Sequence, residues 1–194
     1  MDNQITKTEK ELKVIDLLES NIELYKNAEK QNVVLNTPPP QKWIAKHPYI
    51  KKEITTESGQ RIKVPYDYLP IDKVEYLLKK IFKFYRIEIL REGTSFNGVY
   101  VVVRVHYLNP SDGQWSFHDG IGSMQLQTAK GTSPADLANI NNGALSMAFP
   151  AAKTVAIKDA CDHLGDIFGA NLNREQSLIY KADTETLNHG EYLD

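Results

Sequence analysis

Cysteine is almost missing from this chain: one among 194 residues, Cys161. That excludes an internal disulfide framework and any zinc site built on thiolates. The five histidines, His47, His106, His118, His163 and His189, fall at no metal-ligand spacing, so neither a metal site nor a cofactor is expected. Long apolar runs are missing as well. None approaches about 18 residues, and the polar N-terminus has no signal-peptide pattern. The expectation is a chain with no membrane partner, kept in a reducing cytoplasm with its one thiol buried. No nucleophile motif and no phosphate loop is present, so the chain reads as a non-enzyme. One arrangement leaves a small hydrolase open: His106, His118 and Asp119 fall on strands that pair, and they mimic a base with its orienting group.

Excess charge of one sign is also lacking, since the net is −2. The distribution is more telling. Residues 42–104 hold 13 Lys/Arg against 7 Asp/Glu, a surplus of 6, and residues 159–194 hold 2 against 8, a deficit of 6. Such asymmetry suits a polyanion site on one surface, or subunits that meet head to tail.

What is present begins with a capping box, Thr8-Glu9-Lys10-Glu11, opening a helix to about Lys30. Its stripe Ile15, Leu18, Ile22 and Tyr25 packs either on its own domain or on a neighbour. Pro38-Pro39-Pro40 makes a stiff linker. Trp43 and Tyr49 follow among Lys42, Lys46, Lys51 and Lys52, a mixture that suits stacked bases and phosphates or, equally, a structural anchor. Short strands are expected over Ile50–Thr55 and Arg61–Pro65. From Pro70 to about Phe84 the spacing predicts a helix with Val74, Leu77, Leu78, Ile81 and Phe82 inward. Its outer face is Lys73, Tyr76, Lys79, Lys80 and Lys83, four lysines and no acid, where a solvated face normally mixes signs.

Tyr85–Glu92 reads as a strand, and Gly98–Leu108 as the clearest one. Val99, Val101, Val103, Val105 and Tyr107 take one of its faces; Tyr100, Val102, Arg104, His106 and Leu108 take the other. Arg104 breaks an otherwise apolar strand, which makes it a phosphate-binding candidate. A third strand, Gln114 to about Gln125, completes a meander, and Gly120 and Gly122 imply a bulge or a close backbone approach. Residues 128–142 read as a loop. From Pro150, the residues Ala156, Ala160, Leu164, Ile167 and Phe168 recur at helical spacing, predicting a five-turn helix closed by Gly165 or Gly169. Lys153 then lies in the first turn, inside the apolar arc. Either an anion sits at that helix terminus, or Lys153 snorkels to solvent. Lys158 has Asp162 at i+4, so a surface ion pair competes with a ligand role. Asp159, Asp162 and Asp166 share a face, as a divalent-ion site, a solvated stripe or a subunit contact.

AKTVAIKDACDHLGDIFG resembles the signature helix of the Rad-fifty-two-type single-strand annealing proteins, particularly their phage members. Thr154, Lys158, Ala160 and Gly165 fall on matching positions. The preceding NGVYVVVRVHYLNPSDGQWSFHDGIG resembles that family's hairpin, and the match covers about Pro70 to Leu172. Asp159 and Asp162 depart from it, because the family is usually basic just after the lysine. The resemblance implies ATP-independent binding of single-stranded DNA and annealing of complementary strands, in homologous recombination and DNA repair. It also implies a ring or helical homo-oligomer, a single-strand binding protein as a further partner, and a bacterial host's cytoplasm. Lys158 and, less directly, Lys73 match basic positions of the family. A nucleic-acid or protein-binding module without annealing activity is the alternative.

The expected architecture is α+β: an antiparallel three- to four-stranded sheet, a β-β-β-α core, packed on a long helix, with an N-terminal helical arm. The divisions are residues 1–31 (arm), 32–69 (linker and short strands), 70–172 (core domain) and 173–194 (acidic tail). The expected DNA-binding residues are Lys158, Lys73, Lys153, Arg104, Lys79, Lys80 and Lys83.

Overall fold

The computed structural model describes residues 22–174, except 57 and 134. The capping box, Ile15, Leu18 and the acidic tail beyond Arg174 lie outside the described residues. The described residues are α+β, with one two-stranded and one three-stranded antiparallel sheet. Among the described residues no helix is long and apolar enough to cross a membrane.

The first helix, α1, covers 22–35, five residues past the expected end. Leu35 is buried and Tyr25 is exposed. The triple proline then leads through a short 3-10 turn, Gln41–Trp43, into β1 (Ala45–Thr55), which pairs with β2 (Arg61–Tyr68). Both strands are longer than expected because pairing carries past Pro48. That proline has no N–H for the ladder, and the register shifts between Lys46 and Lys51.

Helix α2 (Ile71–Ile81) starts where expected and stops three residues early. Its N–H-to-carbonyl ladder closes at Phe82, and Lys83 turns left-handed at φ 63°. Lys83 therefore stands beyond the helix, not on its face. Val74, Leu77, Leu78 and Phe82 are buried.

The meander is β3 (Tyr85–Ser95), β4 (Gly98–Leu108) and β5 (Trp115–Gln125), in that spatial order. Along β4 burial alternates at every residue, with Val99, Val101, Val103, Val105 and Tyr107 inside. Among the described residues no fourth strand joins this sheet; β1 and β2 form their own. Residues 128–142 are tied down, not loose. A bridge joins Thr128 to Ile140, and Asn141 N–H donates to the Gln127 carbonyl.

Helix α3 runs over Ala144–Asp162, six residues earlier at its start than the periodicity from Pro150 predicts, with Pro150 inside it. The reason is packing. Ala144, Ala148, Ala152, Ala156 and Ala160 form one buried i, i+4 stripe, and the first two lie before the proline. An interior proline costs about 3 kcal/mol, and the helix nonetheless extends two turns before it, burying Ala144 and Ala148. The stripe is small because the sheet is close. A Cβ on Gly122 would sit 2.1 Å from the Ala152 carbonyl oxygen, and one on Gly120 2.2 Å from that of Ala156. This is the close approach those glycines imply. The helix also ends early, at Asp162; Asp166–Phe168 is a separate 3-10 turn. Phe168 closes the core against Phe82, which also packs on Tyr107 at 4.5 Å between ring centroids. Gly165 carries α1: a Cβ there would meet the Leu35 carbonyl oxygen at 2.5 Å.

Candidate nucleic-acid interface

On α2 the lysines stand as the spacing predicts, with Lys79 and Lys80 exposed and Tyr76 between them and Lys73. The face is not free of acid, however. Lys73 Nζ lies 2.9 Å from Asp72 Oδ2, and that bond holds the Asp72 carboxyl below its ordinary range. Trp43 meets Tyr76 edge-on at 5.7 Å between centroids and packs against the buried core. It is an anchor, and it also widens the aromatic centre of the lysine face.

Lys158 does not form the surface ion pair with Asp162 that competes with a ligand role. Its ammonium lies over the Tyr68 ring, 4.5 Å from the centroid. Burial lowers its pKa below the usual lysine value, and the charge of Asp162 opposes this. Tyr68 pairs with Ala45, two residues after Trp43. Lys158 thus touches Tyr68, Tyr68 pairs with Ala45, and Trp43, two residues back along the chain, touches Tyr76 on the lysine helix. Tyr68 was not singled out from the sequence. Its only signal was a tyrosine at the strand's end, with nothing local to say which helix would cover it.

The other two expected cations stand elsewhere. Lys153 is the tenth residue of α3, so no helix terminus is near it and the anion argument fails. It is exposed, as the snorkelling alternative holds. It borders an open cleft of about 280 Å³ with Ile89, Glu92, Val101, Phe149 and Pro150. Arg104 faces away from α3. Its guanidinium makes two hydrogen bonds to the Asp119 carboxylate, at 2.7 and 2.8 Å, and lies 4.0 Å from the Phe117 ring centroid. Each partner stabilises the charged form of the other, with Asp119 lowered and Arg104 raised. A guanidinium held this way is matched already, and it is on the wrong face of the sheet to meet Lys158.

The histidine–aspartate constellation separates for the same reason of alternation. His106 and Asp119 lie on the outer face, where His106 Nε2 is 2.8 Å from Glu88 Oε2. His118 points inward, 3.2 Å from the Tyr107 hydroxyl and stacked on His163. Burial, then the His163 charge, lowers its pKa. The three do not converge on one point.

Asp159, Asp162 and Asp166 separate too, the last standing beyond the end of α3. Asp159 Oδ2 accepts a 2.9 Å hydrogen bond from Ile121 N–H at the free edge of β5. That bond ties α3 to the strand and blunts an exposed sheet edge. Asp166 accepts from the Asn171 side-chain amide. The Asp162 carboxyl is pushed up to about 6, first by burial and then by Asp159. Among the described residues no group of three metal-ligating side chains is placed to hold an ion. Cys161 is buried and its thiol is pushed up by that burial, which makes it inert. No family model matches the chain, and no curated protein matches it either.

Proposed function

We propose that this protein binds single-stranded DNA and anneals complementary strands without ATP, as a homo-oligomeric ring or helical filament serving recombination and repair. The observation that carries this reading is the lysine face of α2, with Lys73, Lys79 and Lys80 around Tyr76 and Trp43. Lys83 lies just past its end, and Lys158 is joined to it through Tyr68. Cations track the phosphates and aromatic faces stack on bases without regard to sequence. Lys153 and Arg104 have no part in this surface. Lys158, half-buried over a ring, is desolvated in advance, so a phosphate reaching it gains more than at a fully hydrated ammonium.

Annealing needs no bond chemistry from the protein. Held by its phosphates, a strand presents its base edges to a second strand. Pairing then supplies about 1.4 kcal/mol per base-pair step.

The test is the salt dependence of binding to a labelled single-stranded oligonucleotide. Lys80→Ala and Lys158→Ala should each lower the slope of log K against log salt by about 0.7, with no dependence on base sequence. Slopes unchanged in both variants would remove these lysines from the interface and the reading with them.

A further inference from the structure

The β3–β4 hairpin turns on two residues, Phe96 and Asn97, between the paired Ser95 and Gly98. Phe96 has φ 50° and is 94% exposed. A two-residue hairpin places glycine or asparagine where φ is positive, because a Cβ there is strained. A phenylalanine in that position, with its ring in water, contributes nothing to its own fold. Strain of this kind clusters at binding sites, which makes the strained, exposed ring a candidate anchor.

A socket of fitting size lies on the same chain. The 280 Å³ cleft between β3 and α3 has apolar walls, Ile89, Val101, Phe149 and Pro150, with Glu92 and Lys153 at its border. A dry apolar cavity of about 150 Å³ is enough for a benzene ring, so a phenyl side chain fits with room for its Cβ. Beside the cleft the β3 register skips Leu90, a bulge that leaves Ile89 and Leu90 47% and 42% exposed. Bulges of this kind re-aim side chains out of a sheet. Phe96 cannot fill its own cleft. It stands four residues beyond Glu92 along the strand, about 13 Å away, farther than its side chain reaches.

We infer that Phe96 of one copy seats in the cleft of a second copy of this chain. The knob and the socket are separate surfaces of one molecule, so each copy can offer both. Phe96 is the central anchor of the contact, and the exposed Leu90 and Met147 supply apolar surface around it. The inference rests on the assembly part of the proposed function and names the contact that makes it.

Two variants, alone and mixed, test it by light scattering at a micromolar concentration where the parent assembles. Phe96→Gly removes the knob and relieves the backbone, so it should melt no lower than the parent. Ile89→Arg fills the socket from an already half-exposed position. Each alone should associate about 30-fold more weakly or worse, the loss expected of an interface hot spot, and run as a monomer. Mixed in equal amounts they should recover a one-to-one heterodimer, since one intact knob and one intact socket remain. A parental mass for either variant, a mixture that stays monomeric, or a parent that is itself monomeric would each overturn the contact. Single-strand binding measured on the same samples keeps the two proposals apart. Monomers that still bind DNA leave the lysine interface standing, and a parent that assembles but ignores DNA refutes that interface alone.

Discussion

Lys158 and Asp162 stand one turn apart on α3, yet the ammonium goes to a ring and the carboxylate stays unmatched. Spacing alone puts both on one helix face; what lies over them comes from a hairpin some 90 residues earlier in the chain. For Asp162 the consequence is a stability that depends on pH. Its folded value of about 6 stands above the usual 3.8. The folded state therefore binds the proton more tightly than the unfolded one. The stabilisation is full below about 3.8 and is lost as pH rises through about 6. Asp162→Asn, which mimics the protonated form, should melt with the parent at pH 4 and above it at pH 7. Because the side chain keeps part of its surface in solvent, the gain stays below about 1 kcal/mol. Parallel melting curves across that range would show that Asp162 feels neither burial nor Asp159.

At the scale of elements, the meander and α2 were legible because their residues alternate or recur by hydrophobicity. The strict burial pattern of β4 was written in its valines, and the close approach at Gly120 and Gly122 in the glycines themselves. The start of α3 was not legible. Its first two turns bury alanines, which carry little hydrophobic signal, and Pro150 argues locally for a boundary that tertiary packing overrides. Arg104 looked free because its partner, Asp119, lies across a register that only the folded sheet sets. The β1–β2 hairpin was underestimated where Pro48 interrupts it, since pairing resumes beyond the proline. The glycine reading gives a sharp expectation for the helix–sheet layer. Gly122→Ala should lower stability by about 3 kcal/mol or more, above the usual overpacking cost because the clash is with backbone. Its exposed neighbour allows a control, Ser123→Ala, that should stay within about 0.5 kcal/mol. Equal melting temperatures for the two would mean that the helix does not rest on the strand backbone.

For the whole molecule, the sequence carries a surplus of 6 positive charges over 42–104 and a deficit of 6 over 159–194. The basic surplus includes the α2 lysines and the β1–β2 hairpin, which are joined through Trp43 and Tyr68. On the outer face of the three-stranded sheet, Arg104 is paired with Asp119 and His106 is hydrogen-bonded to Glu88. The lysine face keeps Lys79 and Lys80 exposed beside the Tyr76–Trp43 ring pair, while Arg104 and Asp119 close their own ion pair on the outer face of the sheet. The measurement that tests the account most directly is annealing by the purified full chain, without nucleotide or metal. Two complementary oligonucleotides carrying a fluorophore and a quencher are mixed with and without the protein. Pairing should be faster by at least tenfold with protein, should slow as salt rises, and should lose most of that gain when Lys79, Lys80 and Lys158 are changed to alanine together. Tight strand binding with no gain in pairing rate would contradict annealing and leave a binding module in its place; no binding at all would contradict the lysine interface itself.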